Sequence, residues 1–337
     1  MTTSSETTDP ARRATAGPAQ RREVVVNGRR VRVVDLHAHC AVPEAMALLG
    51  QESHVPALLR ANVRQRLDAM NEQGIDVAAL SINPYWYAAD RDVAAEVVRI
   101  QNEALADFCA AEPDRLVALA SVALQHPDLA AQQLEAGVKR YGLRGVLVGG
   151  SVNGEELADA RFHPFWARAE ELGALVFIHP QGTAELANRL RGNGLLENVI
   201  GNPLETTIAL SHLIFEGTLD RFPGLKILAA HGGGYLPSYA ARSDAGCVTF
   251  PGRCTPIRQK PTAYLRQLYF DSLVFTPEGL RHLIAETGAS QIVLGTDYPY
   301  PWTATAVDHI LATPDLSDDE RIAILGETAA RLLGLAH

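Results

Sequence analysis

Lysine is scarce in this chain: Lys139, Lys226 and Lys260 are the three among 337 residues, and arginine supplies most of the positive charge. The formal net charge is -9, which argues against nucleic acid or an anionic membrane as the main partner. The four cysteines, Cys40, Cys109, Cys247 and Cys254, show no CxxC spacing. Neither a secretory signal nor a long apolar span is evident, so a reducing cytoplasm is the expected compartment. No glycine-rich phosphate fingerprint follows the first apolar strand, which counts against nucleotide binding. Beyond an alternation of strands and helices there is no internal repeat.

What the chain does have is core. Hydrophobic residues make up 47% and charged residues 20%, enough to fill either two ordinary domains or one large α/β barrel. Residues 1–20 lack apolar periodicity and are expected to form a disordered tail; Glu6 and Asp9 argue against a transit peptide despite Arg12 and Arg13. Residues 21–337 are then expected to form a single domain. It opens with β-branched runs on either side of Asn27-Gly28, the signature of a hairpin.

Eight apolar runs follow as strands: Val31–His37, Asp76–Ile82, Leu116–Val122, Leu143–Gly149, Leu175–Pro180, Leu225–His231, Leu268–Leu273 and Ile292–Asp297. Helix-period segments separate most of them, at Pro56–Gln73, Asp92–Ala111, Leu129–Tyr141, Phe162–Leu172, Leu204–Asp220 and Pro277–Thr287, and Asp318–Leu333 follows the last strand. Near-continuous apolar strands that alternate with crossover helices predict a (β/α)8 TIM barrel with an N-terminal β-hairpin extension. Residues 181–202 form a long connection suited to a lid, and the sixth crossover, Gly232 to Gln267, reads as long and irregular.

The polar residues that end these runs are a small set. "VVDLHAH" ends in His37 and His39, "LVFIHP" carries His179, "KILAAHGGG" carries His231, and "IVLGTD" ends in Asp297. Strand carboxyl ends face the active-site mouth of a barrel, so all five converge on one volume. His37 and His39, two apart on a strand, point the same way and can share one cation. His179 and Asp297 can complete a nitrogen and oxygen shell of the kind a catalytic zinc uses. That leaves His231 either as a free imidazole that moves protons or as a ligand of a second metal. Strand 4 ends "GVLVGG" with no lysine near it to bridge two metals, which favours one divalent ion. No organic cofactor is expected, because protonation of the substrate carbon can itself create the electron sink.

With "DLHAH", "MNEQGIDVAALSINP", "PDRLVALASVALQ", "IHP", "NPLETTIAL", "RFPGLKILAAHGGGYLPSYAARSD" and "VLGTDYPYP" in this order, the chain resembles the amidohydrolase superfamily. Within it, the match is to the decarboxylase branch typified by aminocarboxymuconate-semialdehyde decarboxylase. The resemblance implies that His37, His39, His179 and Asp297 are the metal ligands and that His231 manages the metal-bound water. It further implies that Arg242, in "YAARSD", reaches into a neighbouring subunit and binds a substrate carboxylate, hence a homodimer or higher homo-oligomer. Some decarboxylases of this branch begin with a glutamate-containing motif and favour manganese; His-x-His here favours zinc, with manganese the alternative. A second substrate-binding arginine has no clear counterpart, although Arg60, Arg64 and Arg66 are candidates on a helix whose spacing turns most of them to solvent.

Beyond the second strand, "SINPYWY" places Asn83, Tyr85, Trp86 and Tyr87 where they can bind a planar substrate at the mouth, by stacking and hydroxyl contacts, or instead seal a loop against the rim, and Trp302 carries the same two readings. Cys40 points away from His39 into the core. Glu205 opens a helix after Pro203, where a carboxylate suits the amide-rich end. His54, His126, His163, His212, His282, His309 and His337 are expected to be structural or solvated. The chemistry expected is non-oxidative decarboxylation of an unsaturated or aromatic carboxylic acid. The alternative is hydrolysis or hydration of a lactone, amide or double bond by the same five residues, and a remote alternative is a non-catalytic metal-stabilised binding protein.

Overall fold

The computed structural model describes residues 20–51, 59, 62–182 and 184–336. The expected tail up to residue 19, the start of the helix expected from Pro56, and His54, Arg60 and His337 lie outside the described residues.

β1 (Val24–Val26) and β2 (Arg29–Val31) pair antiparallel, with Val24 opposite Val31. The turn between them puts Asn27 at φ 47° and Gly28 at φ 76°, the two left-handed positions that a tight hairpin turn requires. Asp76 fixes this hairpin to the fold: its carboxylate accepts from Arg30 Nη2 at 2.7 Å, Arg21 Nε at 3.0 Å and the Val33 N–H at 2.8 Å.

Eight further strands pair in parallel. β3 (Val34–His39), β4 (Val77–Ser81) and β5 (Leu116–Ala118) form one sheet. β6 (Gly145–Val148) pairs with a strand that follows a small β7–β8 hairpin (Ser151–Val152 and Glu155–Glu156). β9 (Leu175–Ile178), β10 (Lys226–Ala229), β11 (Leu268–Asp271) and β12 (Ile292–Val293) complete that second sheet in chain order. Backbone contacts join the two sheets at both edges: Ala120 bridges Val146 in parallel, and Ala38 bridges Tyr298, with the Leu36 N–H donating to the Leu294 carbonyl at 3.0 Å.

Two apolar layers follow from strand alternation. Val34, Leu36, Val77, Ala79, Leu175, Phe177 and Leu228 form one buried cluster with the final helix, Thr328–Leu333. The intervening residues, such as Ala78, Leu80, Val176, Ile178 and Ile227, pack in a larger cluster with the crossover helices. β3 departs from this rule. An irregularity between Asp35 and Ala38 sets two residues of β3, Leu36 and His37, against one of β4, Ala79. Strict alternation from Leu36 would turn His37 and His39 to the helix side. The extra residue reverses the phase, and His37 instead packs on Phe177 of the inner layer with ring centroids 4.9 Å apart.

The helices carry sequence-coded ends. Asn62 and Gln65 form a capping box at the start of Val63–Gln73, which stops at Gly74 with φ 77°. Asp90 caps Arg91–Ala111 and Thr276 caps Pro277–Thr287. The sixth crossover is less irregular than its sequence suggests, because Leu236–Thr249 is a helix with Pro237 in its first turn. Its composition has no continuous apolar stripe, which hid it. Cys247 and Cys254 are joined by a disulfide across its far end, a pairing their spacing did not announce. No described helix is long and apolar enough to cross a membrane.

Candidate metal and proton-transfer site

The ends of β3, β9 and β12 bring His37, His39, His179 and Asp297 together, with one ligand atom from each lying within 4.8 Å of the others. His37 Nε2 lies 3.0 Å from His39 Nε2, and Asp297 Oδ1 lies 3.3 Å and 3.0 Å from the two. All four residues are buried.

Their partners prepare these atoms. His37 Nδ1 meets Asp271 Oδ2 at 2.7 Å, so Nδ1 carries the proton and Nε2 keeps its lone pair for the cluster. Ser81 Oγ donates to the Ala38 carbonyl at 3.0 Å and lies 3.2 Å from His39 Nδ1, which sets the same tautomer there. Both ring nitrogens of His179 are buried without a partner among the described residues. Three imidazoles and a carboxylate turned toward one another in a buried space are costly unless a cation sits among them. The donor set fits a divalent metal.

A proton competes with a metal for these lone pairs, and the charges around each group set the balance. Burial, reinforced by the neighbouring histidines, holds His179 well below its usual pKa. Burial also opposes charge on His37, but Asp297 and Asp271 outweigh it and push that pKa up to about 10. Asp297 stays ionised: burial would raise its pKa, yet His37, His231 and His39 hold it well below the ordinary carboxylate range. Asp35, two residues before His37, accepts from the His37 N–H at 3.1 Å and from Thr296 Oγ1 at 2.6 Å. Burial pushes its pKa up to about 6.

His231 stands beside this cluster and outside it. Its Nε2 is 3.8 Å from Asp297 Oδ2, and its side chain is 18% exposed. The backbone is left-handed here, with φ 55° at His231 and φ 58° at Asp297, a conformation in which side chains other than glycine are uncommon outside constrained sites. Asp271 holds the His231 turn. The oxygen that meets His37 also accepts the His231 N–H at 2.8 Å, and its other oxygen accepts the Gly232 N–H at 2.8 Å. The chain then passes close to the preceding long helix, Asn202–Phe215. A Cβ on Gly234 would lie 2.0 Å from the Pro203 carbonyl oxygen and 2.7 Å from Thr207 Oγ1, and the residue's φ is 64°.

Of the other expected residues, Asn83 and Tyr85 line the mouth with His179, His231, Tyr300 and Trp302. Trp86 does not, which corrects its assignment to substrate binding: it is 1% exposed, and its Nε1–H donates to the Val122 carbonyl at 2.9 Å. Tyr87 is likewise internal, with its hydroxyl accepting the Gly149 N–H. Arg242 is exposed on Leu236–Thr249 and lines neither cavity at the site. Arg66, one of three candidates for a second substrate-binding arginine on a helix expected to turn most of them to solvent, is buried. It donates to the His39 carbonyl at 2.6 Å and stacks over Tyr298.

Asp271 was missed altogether, because a single acid inside "LYFDSL" reads as part of an ordinary strand. The available signal was its place at a strand end, like Asp297. Glu205 is buried, and its carboxylate accepts the N–H groups of Gln181 and Gly182, just beyond His179.

Comparison with known proteins gives this arrangement a family. The amidohydrolase family model matches residues 34–335. The 2-amino-3-carboxymuconate-6-semialdehyde decarboxylase of Dictyostelium discoideum is 31% identical over 275 residues, covering 80% of this chain and 76% of that one. The γ-resorcylate decarboxylase of Rhizobium radiobacter is 31% identical over 322 residues, covering 89% and 97%. A dihydroxybenzoic acid decarboxylase from Polaromonas, solved with manganese and the inhibitor 2-nitroresorcinol, superposes with a TM-score of 0.81 at 27% identity over 90% of this chain and 97% of that one. Since the family match begins at β3 and runs past the final helix, this chain belongs to the amidohydrolase family, alongside metal-dependent decarboxylases.

Proposed function

We propose that the protein is a metal-dependent, non-oxidative decarboxylase of an aromatic or unsaturated carboxylic acid. In this reading one domain, from residue 21 onward, is a closed (β/α)8 barrel preceded by the β1–β2 hairpin. His37, His39, His179 and Asp297 hold one divalent ion, which supplies Lewis-acid polarisation of a substrate oxygen. Zinc suits the three imidazoles; manganese in the Polaromonas relative is the alternative.

The observation that carries the reading is His231. It is close to the ligand cluster without belonging to it, opens to the cavities, and is held at its backbone by Asp271. Its imidazole delivers a proton to the carbon that bears the carboxylate. The bond from that carbon to the carboxylate then breaks, its electron pair restores the unsaturated system, and carbon dioxide leaves. Asn83 and Tyr85 orient the substrate's polar groups at the mouth.

Arg242 acts on a partner subunit's site in a homodimer or higher oligomer. Its exposure, and that of Tyr239, Val248 and Phe250 along the same helix and its end, supports a subunit contact there. The test is His231→Ala. Carbon dioxide release from a panel of aromatic and unsaturated acids should vanish while bound metal stays stoichiometric. Loss of metal would make His231 a ligand instead, and products heavier by one water would replace decarboxylation with hydrolysis or hydration.

A further inference from the structure

A chamber of about 600 Å³, whose lining does not include Asn83, opens from His231 and Asp297. Val199, Tyr235, Leu273, Val274, Phe275 and Trp302 form much of its wall. Among the described residues no lysine, arginine or glutamate lines it, and its one carboxylate is Asp297, already a member of the ligand cluster. Asn198, Asn202, Ser238 and His282 provide neutral or weakly basic polar points.

This volume lies in the range that holds drug-sized ligands and exceeds what a single ring anchored at the cluster needs. Phe275 and Trp302 remain 58% and 39% exposed at its rim, and Phe275 holds φ 59°, an uncommon backbone state for a bulky residue. Aromatic surface left exposed at the edge of a cavity is available to a ligand that enters it.

We infer that the substrate is an aromatic monocarboxylic acid whose ring carries a bulky uncharged substituent, such as an alkyl, aryl or alkoxy group, which lies in this chamber against Phe275 and Trp302. This rests on the decarboxylase reading. In the proposed reading Arg242 and the His231 proton serve the reacting carboxylate, so a second ionised carboxylate pushed into these walls loses its water and finds no lysine or arginine of the lining to replace it. An apolar substituent instead gains from every methylene removed from water. The chamber therefore separates substrates by the group opposite the reacting carboxylate.

The test uses the metal-loaded full chain and 2-hydroxybenzoates with methyl, ethyl, propyl or carboxylate groups at each open ring position. At one position kcat/KM should climb about fourfold per added methylene, the ratio equivalent to ~0.8 kcal/mol per buried methylene. The carboxylate-substituted acid should fall below the parent. Phe275→Ala should flatten the alkyl ladder, and Phe275→Arg, at an exposed position that tolerates charge, should invert the preference between alkyl and carboxylate. A flat ladder in the wild type, or a dicarboxylate that outperforms the alkyl acids, overturns the inference.

Calorimetric binding of the corresponding alkylphenols separates the two readings. If no acid is decarboxylated but the alkylphenols still bind with the ladder, the reaction is wrong and the chamber assignment stands. If the acids react and neither acids nor phenols show the ladder, the chamber assignment fails alone.

Discussion

Asp271 offers the sharpest test, because one carboxylate serves two parts of the site. Oδ2 takes His37 Nδ1–H at 2.7 Å and the His231 N–H at 2.8 Å, while Oδ1 takes the N–H groups of Gly232 at 2.8 Å and Leu273 at 3.1 Å. Asp271→Asn keeps the shape but turns one oxygen into an NH2 donor. Wherever that NH2 points, it faces two N–H groups that had an acceptor. The lost charge-assisted bond and the unsatisfied donors each cost about 1–3 kcal/mol, shared between folding and site geometry. Partners behind a ligating histidine are worth about 10–100-fold in metal affinity, or ~1.4–2.7 kcal/mol.

The variant should thus bind zinc that much more weakly in competition with a chromophoric chelator. Its decarboxylation rate should also stay low at saturating metal, since the His231 turn has lost the same anchor. Ser81→Ala is the control. Its hydroxyl gives His39 Nδ1 a longer, neutral contact of 3.2 Å, so its effect on affinity should be under ~10-fold. Wild-type affinity in Asp271→Asn, or a larger loss in Ser81→Ala, would refute the reasoning.

Other outcomes follow from groups away from the metal. At Asp76, burial works against the charge but Arg30 and Arg21 outweigh it, so the folded carboxyl titrates below the ordinary range. Asp76→Asn should lower stability at pH 7 by about 1–2 kcal/mol, a deficit present above the unfolded pKa near 3.9 and closing as acid protonates the wild type. Denaturation at pH 7 and pH 3 checks this, and an equal deficit at both would count against it. Burial pushes Glu205 the other way, up to about 7. The folded form then holds its proton more tightly than the unfolded chain, so stability is whole below about pH 4.3 and falls as pH rises through 7, by up to ~3 kcal/mol. Urea midpoints between pH 5 and 8 should change less in Glu205→Gln than in the wild type; parallel curves would exclude Glu205 as the source. Mixing Arg242→Ala with His231→Ala subunits should restore activity that neither has alone, and a mixture as inactive as its parts would place Arg242 outside the partner's site.

Much of this site could be read from residue order, because the signal was short-range. His37, His39, His179, His231 and Asp297 each end an apolar run, and parallel strands bring such ends together. The face of β3 was not readable: the pair shares a side, but the irregularity between Asp35 and Ala38 chooses which side. Asp271 and the disulfide were hidden for a related reason. Their partners are set by neighbouring strands and a loop reversal, which leave no periodicity in the local sequence. Trp86 showed the converse failure. An aromatic just past a strand suits a cavity rim or the wall behind it, and its indole N–H reaching Val122 settled on the wall. Helix Leu236–Thr249 escaped notice because half of its surface stays polar or exposed, so no stripe marks it.

Gly234 has a consequence for how this enzyme can diversify. Both Gly234 and Pro203, whose carbonyl a Cβ would strike, line the chamber. The spacing between two of its walls is therefore a backbone-to-backbone distance, gauged by a hydrogen atom. Mutation can recolour the chamber by exchanging Val274, Phe275 or Trp302, but it cannot widen or narrow this pinch by small steps. New specificities in this lineage should therefore arise as changes of lining on a frame of constant bore.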